Sequence, residues 1–82
     1  MDEIRVPAHE LENILFGPGY TLTGVTFDGD AQTITLHARR GGSVYNTPPI
    51  SAASALNGRG APAGAKLAGA RFENRTLILT LA

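Results

Sequence analysis

Apolar and polar positions alternate along most of this chain, but with different periods in different places. From Val6 onward Leu11, Ile14 and Leu15 recur at helical spacing, Pro7 suits a first helical position, and Glu10 and Glu12 lie near the positive end of a helix dipole. Gly17 and Pro18 end that pattern, which predicts a short amphipathic helix burying Leu11, Ile14 and Leu15. Tyr20 to Phe27 and Thr33 to Ala38 then alternate with period two about an Asp28-Gly29-Asp30 turn, the pattern of a β-hairpin. Pairing Val25 with Ile34 and Thr23 with Leu36 puts Val25, Phe27, Ile34 and Leu36 on one face, and Thr26, Thr33, Thr35 and His37 on the other.

The alternation lapses between Arg39 and Gly64, 26 residues with five Gly and three Pro, interrupted by an apolar run from Ile50 to Leu56. Ser51 to Asn57 reads as a weak helical turn closed by Asn57-Gly58, and Asn46-Thr47-Pro48-Pro49 as an extended, polyproline-like segment. Alternation returns at Lys66 to Phe72 and Thr76 to Leu81 about Asn74-Arg75, predicting a second hairpin with Phe72 facing Leu77, Ala70 facing Leu79 and Ala68 facing Leu81. The last strand is apolar on both faces, so it needs cover on two sides. A single short helix and a Gly-rich loop provide little, and a homo-oligomer formed through the C-terminal strand is therefore expected. The other outcome is that the segment 39–64 folds back over Ile78.

An offset of 45 positions aligns Ala8 with Ala53, Leu11 with Leu56, Gly19 with Gly64, Leu22 with Leu67, Gly24 with Gly69 and Phe27 with Phe72. Two explanations stand: a duplicated helix-plus-hairpin unit forming a pseudo-symmetric four-stranded sheet, or two hairpins alike because the chain is rich in Gly, Ala and Leu. Both give an α+β fold, a small antiparallel sheet of two β-hairpins with a short N-terminal helix. Its single domain, 1–82, divides into helix plus first hairpin (1–38), Gly/Pro-rich connector (39–64) and second hairpin (65–82).

Composition narrows the functions open to this fold. At 82 residues and 8.6 kDa the chain buries only about 60–65% of its unfolded surface, too little for a deep private cleft, and without Cys it has neither disulfides nor a cysteine zinc site. The start, Met1 to Arg5, has no basic and apolar leader pattern, and no run approaches the ~20 apolar residues of a membrane span. A cytoplasmic protein with no membrane partner is expected.

Catalytic and metal-binding patterns are weak. Asp28-Gly29-Asp30 lacks the further ligands of a calcium loop, and Gln32 cannot replace them; His9 and His37 stand in different elements without zinc-type spacing. No serine occupies a Gly-x-Ser-x-Gly elbow and no acid–base pair is implied by spacing, so no enzymatic function and no cofactor are expected. Gly58 to Lys66 fails both nucleotide fingerprints, because Lys66 is separated from Gly64 by Ala65 and Pro62 interrupts the turn. Its glycine N–H groups beside Arg59 and Lys66 could still form an anion-binding concavity, or simply a surface loop. Asn74-Arg75-Thr76 matches a glycosylation sequon but is explained by the second hairpin's turn.

Charge placement changes the picture most. The formal net charge is zero, which argues against nucleic acid as a partner. Yet residues 1–30 carry −5 and residues 31–72 carry +5, with no Asp or Glu in the latter stretch. Arg39, Arg40, Arg59, Gly60 and Lys66, with Tyr45 for stacking, are accordingly the candidate site for an anionic small molecule. The competing explanation is charge complementarity between the acidic and basic parts, within or between chains.

The repeated Leu-x-Gly-x-x-Phe-acidic pattern at Leu22 to Asp28 and Leu67 to Glu73, on a compact chain with a short amphipathic helix, resembles small accessory proteins encoded by tailed phages. The likeness is one of style over the whole chain, without a diagnostic motif. It implies either an oligomeric sponge that sequesters nucleotide immune signals, an anti-defence role, or a protein-interaction or virion component whose basic loop docks on an acidic protein surface.

Overall fold

The computed structural model describes residues 2–82. Its first element is a strand, β1 (Glu3–Pro7), with Val6 turned into the core. Pro7 has no N–H to give to a helix and caps the N-terminus of α1 (Ala8–Leu11), which continues as a π-helical turn, Glu12–Phe16. The Gly17 N–H reaches back five residues to the Glu12 carbonyl, and Gly17 ends the helix at φ +99. That wider turn changes which side chains face inward: Glu12 is buried, while Ile14 and Leu15 are 68% and 43% exposed, so the expected Leu11–Ile14–Leu15 face keeps only Leu11 inside.

The hairpins form as β2 (Thr21–Asp28) with β3 (Thr33–Arg40), and β6 (Leu67–Glu73) with β7 (Thr76–Leu81). Phe72 pairs with Leu77 and Ala70 with Leu79 as predicted. In the first hairpin Val25 pairs with Leu36 and Phe27 with Ile34, two residues from the expected register, because the loop takes in Gly29 to Gln32. A shift of two keeps every side chain on its face, so the apolar and Thr/His faces stand. Between the hairpins lie β4 (Ser43–Asn46), β5 (Ile50–Ser51) and α2 (Ala52–Leu56), the last N-capped by the Ser51 hydroxyl, which accepts from the Ser54 N–H at 3.2 Å.

The architecture is α+β with two antiparallel sheets in place of the single four-stranded sheet expected. One runs β1-β7-β6; the other runs β2-β3-β4, with β5 also on β3. Each hairpin thus gains a strand from the other half of the chain: β1 lies on β7, and β5 lies on β3 beside β4. Equivalent strand positions are offset by 43 to 45. Val25 with Leu36 corresponds to Ala70 with Leu79, Phe27 with Ile34 corresponds to Phe72 with Leu77, and the register shifts at matching places, Leu22/Gly24 and Leu67/Gly69. The repeat is therefore strand, helix and hairpin, with the first strands exchanged. β2 and β6, equivalent in the two halves, run side by side in space.

The inner faces of both sheets share one core that includes Val6, Leu22, Ile34, Leu36, Leu67, Leu77 and Leu79. Ile78 points the other way yet is 5% exposed. Its cross-strand neighbours are Arg5 and Arg71, long side chains that can lay their methylenes over an apolar residue while their heads stay in water. Those heads are tied down: Arg71 bonds Glu3 at 2.9 Å and Glu73 at 2.6 Å, and Arg5 bonds Glu3 at 3.0 Å. Ile78, the residue on which the expectation of self-association rests, is thus covered within one chain. No helix among the described residues is long and apolar enough to cross a membrane.

Candidate functional site

The fold resolves part of the charge split. Glu3 pairs with Arg71, Glu10 with Arg59 at 3.4 Å, and Glu12 with Arg75 at 2.8 Å, each joining the acidic first half to a later arginine. Among the described residues, Arg39, Arg40 and Lys66 have no carboxylate within ion-pair distance. These three are the cations the fold leaves for something else.

Arg39 and Arg40 end β3, and the period of two sends them to opposite faces. Arg40 follows Leu36 and Ala38 on the inner face, beyond the end of the core, and its guanidinium carbon lies 5.5 Å from the centre of the Tyr20 ring. The next two residues, Gly41 and Gly42, make a two-residue turn in which Gly41 takes φ +61, a value that glycine adopts without strain. The chain returns as β4, where Tyr45 sits opposite Ala38 and so shares the inner face with Arg40. Tyr45 meets the Tyr20 ring edge-on at 5.1 Å and 76°, and the Phe16 ring lies tilted against Tyr20 at 5.7 Å and 31°. The result is an exposed arginine over a half-buried tyrosine, beside a second tyrosine that is 42% exposed.

Arg39 stands on the outer face with Val44, His37 and Asn46. His37 bridges there, Nε2 at 2.7 Å from Thr26 Oγ1 and Nδ1 at 2.6 Å from Asn46 Oδ1, both within hydrogen-bonding range.

The other predicted residues lie elsewhere. Arg59 folds back on α2, donating from Nε to the Ala55 carbonyl at 3.2 Å and from Nη1 to Glu10. Lys66 adjoins Leu67, whose backbone is held by Gln32 at the start of β3; Arg40 is at that strand's far end, roughly 23 Å away at 3.3 Å per residue. Gly60 has φ +83 and open space where a Cβ would be, in the loop after α2. A hollow of about 200 Å³ does form against this loop, but Asn57, Gly58 and the Ala61–Ala65 run line it, without either basic side chain. The predicted set thus divides: Arg40 and Tyr45 come together, Arg39 lies behind them, and Arg59, Gly60 and Lys66 are remote from them.

Tyr20 is the site residue that sequence reasoning missed. In the sequence it is only the first residue of an alternating strand pattern, and its place in the cluster depends on Gly17 and Gly19, both at positive φ, carrying the chain back beneath Arg40. No group of three or more His, Asp or Glu among the described residues is placed to hold a metal ion. Comparison with known proteins finds no matching family model, no matching curated protein and no matching solved structure.

Proposed function

We propose that this protein is a non-enzymatic binding module that captures a planar, anionic, nucleotide-like small molecule at the Arg40–Tyr20–Tyr45 cluster. The observation that carries the reading is Arg40 itself: a cation without a carboxylate partner among the described residues, its guanidinium carbon over one ring with a second ring exposed beside it. A cation over a partly exposed ring gains about 0.5–1 kcal/mol, enough to hold the guanidinium there. Its edge donors stay available for a phosphate, each charge-assisted bond contributing about 1.5–3 kcal/mol. A base or other planar group would stack on Tyr45.

A thermal-shift and calorimetric titration with cyclic dinucleotides, adenosine-diphosphate-ribose-type molecules and inorganic phosphate tests this. Saturable stabilisation by a nucleotide is expected, weakened at least tenfold in Arg40→Ala and in Tyr45→Ala, with phosphate alone binding more weakly. Absence of a shift with the whole series overturns the reading. It would favour the second one, docking on an acidic protein surface, for which the support is β4: its four residues are exposed, Val44 to 60%, next to Arg39 on the outer face.

A further inference from the structure

Between the halves lies a second feature, a cavity of about 260 Å³ that opens to the surface beside α1 and α2. Its floor comes in equivalent pairs of core residues, Val6 with Ile50, Ile34 with Leu77 and Leu36 with Leu79, so it lies where the two repeats face each other. The likeness stops at the rim, where the first half contributes Leu11, Ile14 and Leu15 and the second Ser54, Ala55 and Arg59. The cavity therefore has an apolar floor and, on one side of its mouth, a single guanidinium.

We propose that this cavity binds a carboxylate with a compact apolar body, such as a medium-chain aliphatic acid, with the body lying over the paired apolar floor between Ile14, Leu15, Ile50 and Ala55 and the carboxylate on Arg59. Size sets the length. A cavity of about 150 Å³ accommodates benzene, so one of this volume accommodates about ten non-hydrogen atoms. Charge sets the head group. One guanidinium with a glutamate nearby matches a monoanion, and planar carboxylate matches planar guanidinium through two parallel bonds. Arg59 spends two donors, one on the Ala55 carbonyl and one on Glu10. The Glu10 contact, at 3.4 Å, is long beside the ordinary charge-assisted distance of about 2.7–2.9 Å, and Glu10 is 41% exposed. It can swing into water when a better-placed carboxylate arrives.

Titration of the intact protein with octanoate, followed through its ¹³C-labelled methyl groups, tests this site apart from the Arg40 cluster. Saturable shifts at Ile14, Leu36 and Leu79 are expected. Binding should weaken at least tenfold in Arg59→Gln and strengthen a few-fold in Glu10→Gln; octanol should bind wild type and Arg59→Gln alike, and acetate should not bind. Ala55→Phe, which fills the cavity from α2 and whose fold is checked by circular dichroism, should abolish octanoate binding. No saturable shift, equal affinity in Arg59→Gln, or undiminished binding in folded Ala55→Phe each overturns the proposal. So do methyl shifts that depend on protein concentration without ligand, because a second copy would then be covering the cavity.

Discussion

Glu12 shows how much one side chain can organise in so small a protein. It is 8% exposed, accepts the Leu22 N–H, and meets Arg75, whose second nitrogen donates to the Leu22 carbonyl at 3.2 Å. Burial works to raise the Glu12 carboxyl, but the Leu22 N–H and the Arg75 guanidinium outweigh it, and the group sits below its ordinary value of 4.5. A carboxyl with a depressed folded pKa stabilises the fold above its unfolded pKa, and that stability is lost as pH falls through the folded value. Glu12→Gln keeps an acceptor for Leu22 and drops the charge, so it should cost about 1–2 kcal/mol at pH 7, since Arg75 is half-exposed and rehydrates. The cost should shrink well below pH 4.5. Urea unfolding of both proteins at pH 7 and at pH 3 measures this, and an equal difference at the two pH values would refute the charge contribution.

At the scale of elements, the turn residues before β3 and β7 do equivalent work with different chemistry. Gln32 and Arg75 both take left-handed backbone, φ +54 and +58. Their carbonyls accept the first N–H of the other half's helix, Ala52 for Gln32 at 2.8 Å and Ala8 for Arg75 at 2.9 Å. Their side chains clamp the backbone of equivalent leucines: Gln32 bonds both N–H and C=O of Leu67, at 2.8 and 3.1 Å, as Glu12 and Arg75 together do for Leu22. The halves are locked to each other at these points. Gln32→Ala should cost about 2 kcal/mol, roughly 10 °C in Tm for a domain of this size, by leaving the Leu67 groups unsatisfied. Gln32→Gly should cost about 0.5–1 kcal/mol less, because glycine accepts the positive φ. Calorimetry of the pair decides it; Gly less stable than Ala would contradict the account. The clamp left no trace in the sequence, because a glutamine and a Glu–Arg pair share no residue type although they satisfy the same two backbone groups.

For the whole molecule, the exchange of first strands means that neither half holds a complete sheet. β1 needs β7 and β5 needs β3, and the shared core draws on both repeats. Peptides 1–46 and 47–82, cut in the exposed stretch before Pro48, should each be unfolded alone and regain β structure when mixed. Circular dichroism and analytical ultracentrifugation of the separate and mixed peptides test this. Folding of either peptide alone, or failure of an equimolar mixture to fold, would show that the halves are not interdependent. The same fold lets a chain with −5 and +5 in separate stretches pair three of its acidic residues with distant arginines in a single copy.

Local physics decided what could be read from the chain itself. Period-two alternation fixed the hairpins and their faces, the 45-residue offset made a repeat one of two explanations, and Asn74-Arg75 stands at the two-residue turn read there, whereas the Gly41-Gly42 turn and β4 lay inside the stretch read as a loose connector. Arg40 and Tyr45 were legible as candidates because a run free of acidic residues is a sequence property. Tertiary structure alone decided which sheet each first strand joins, since a strand of two to five residues pairs with whichever edge completes its core. It also turned Ile14 and Leu15 outward through one π-helical turn, separated Arg59 and Lys66 from Arg40, and brought Tyr20 beneath it. Each of these depends on contacts between residues far apart in the chain, and local spacing carries no information about them.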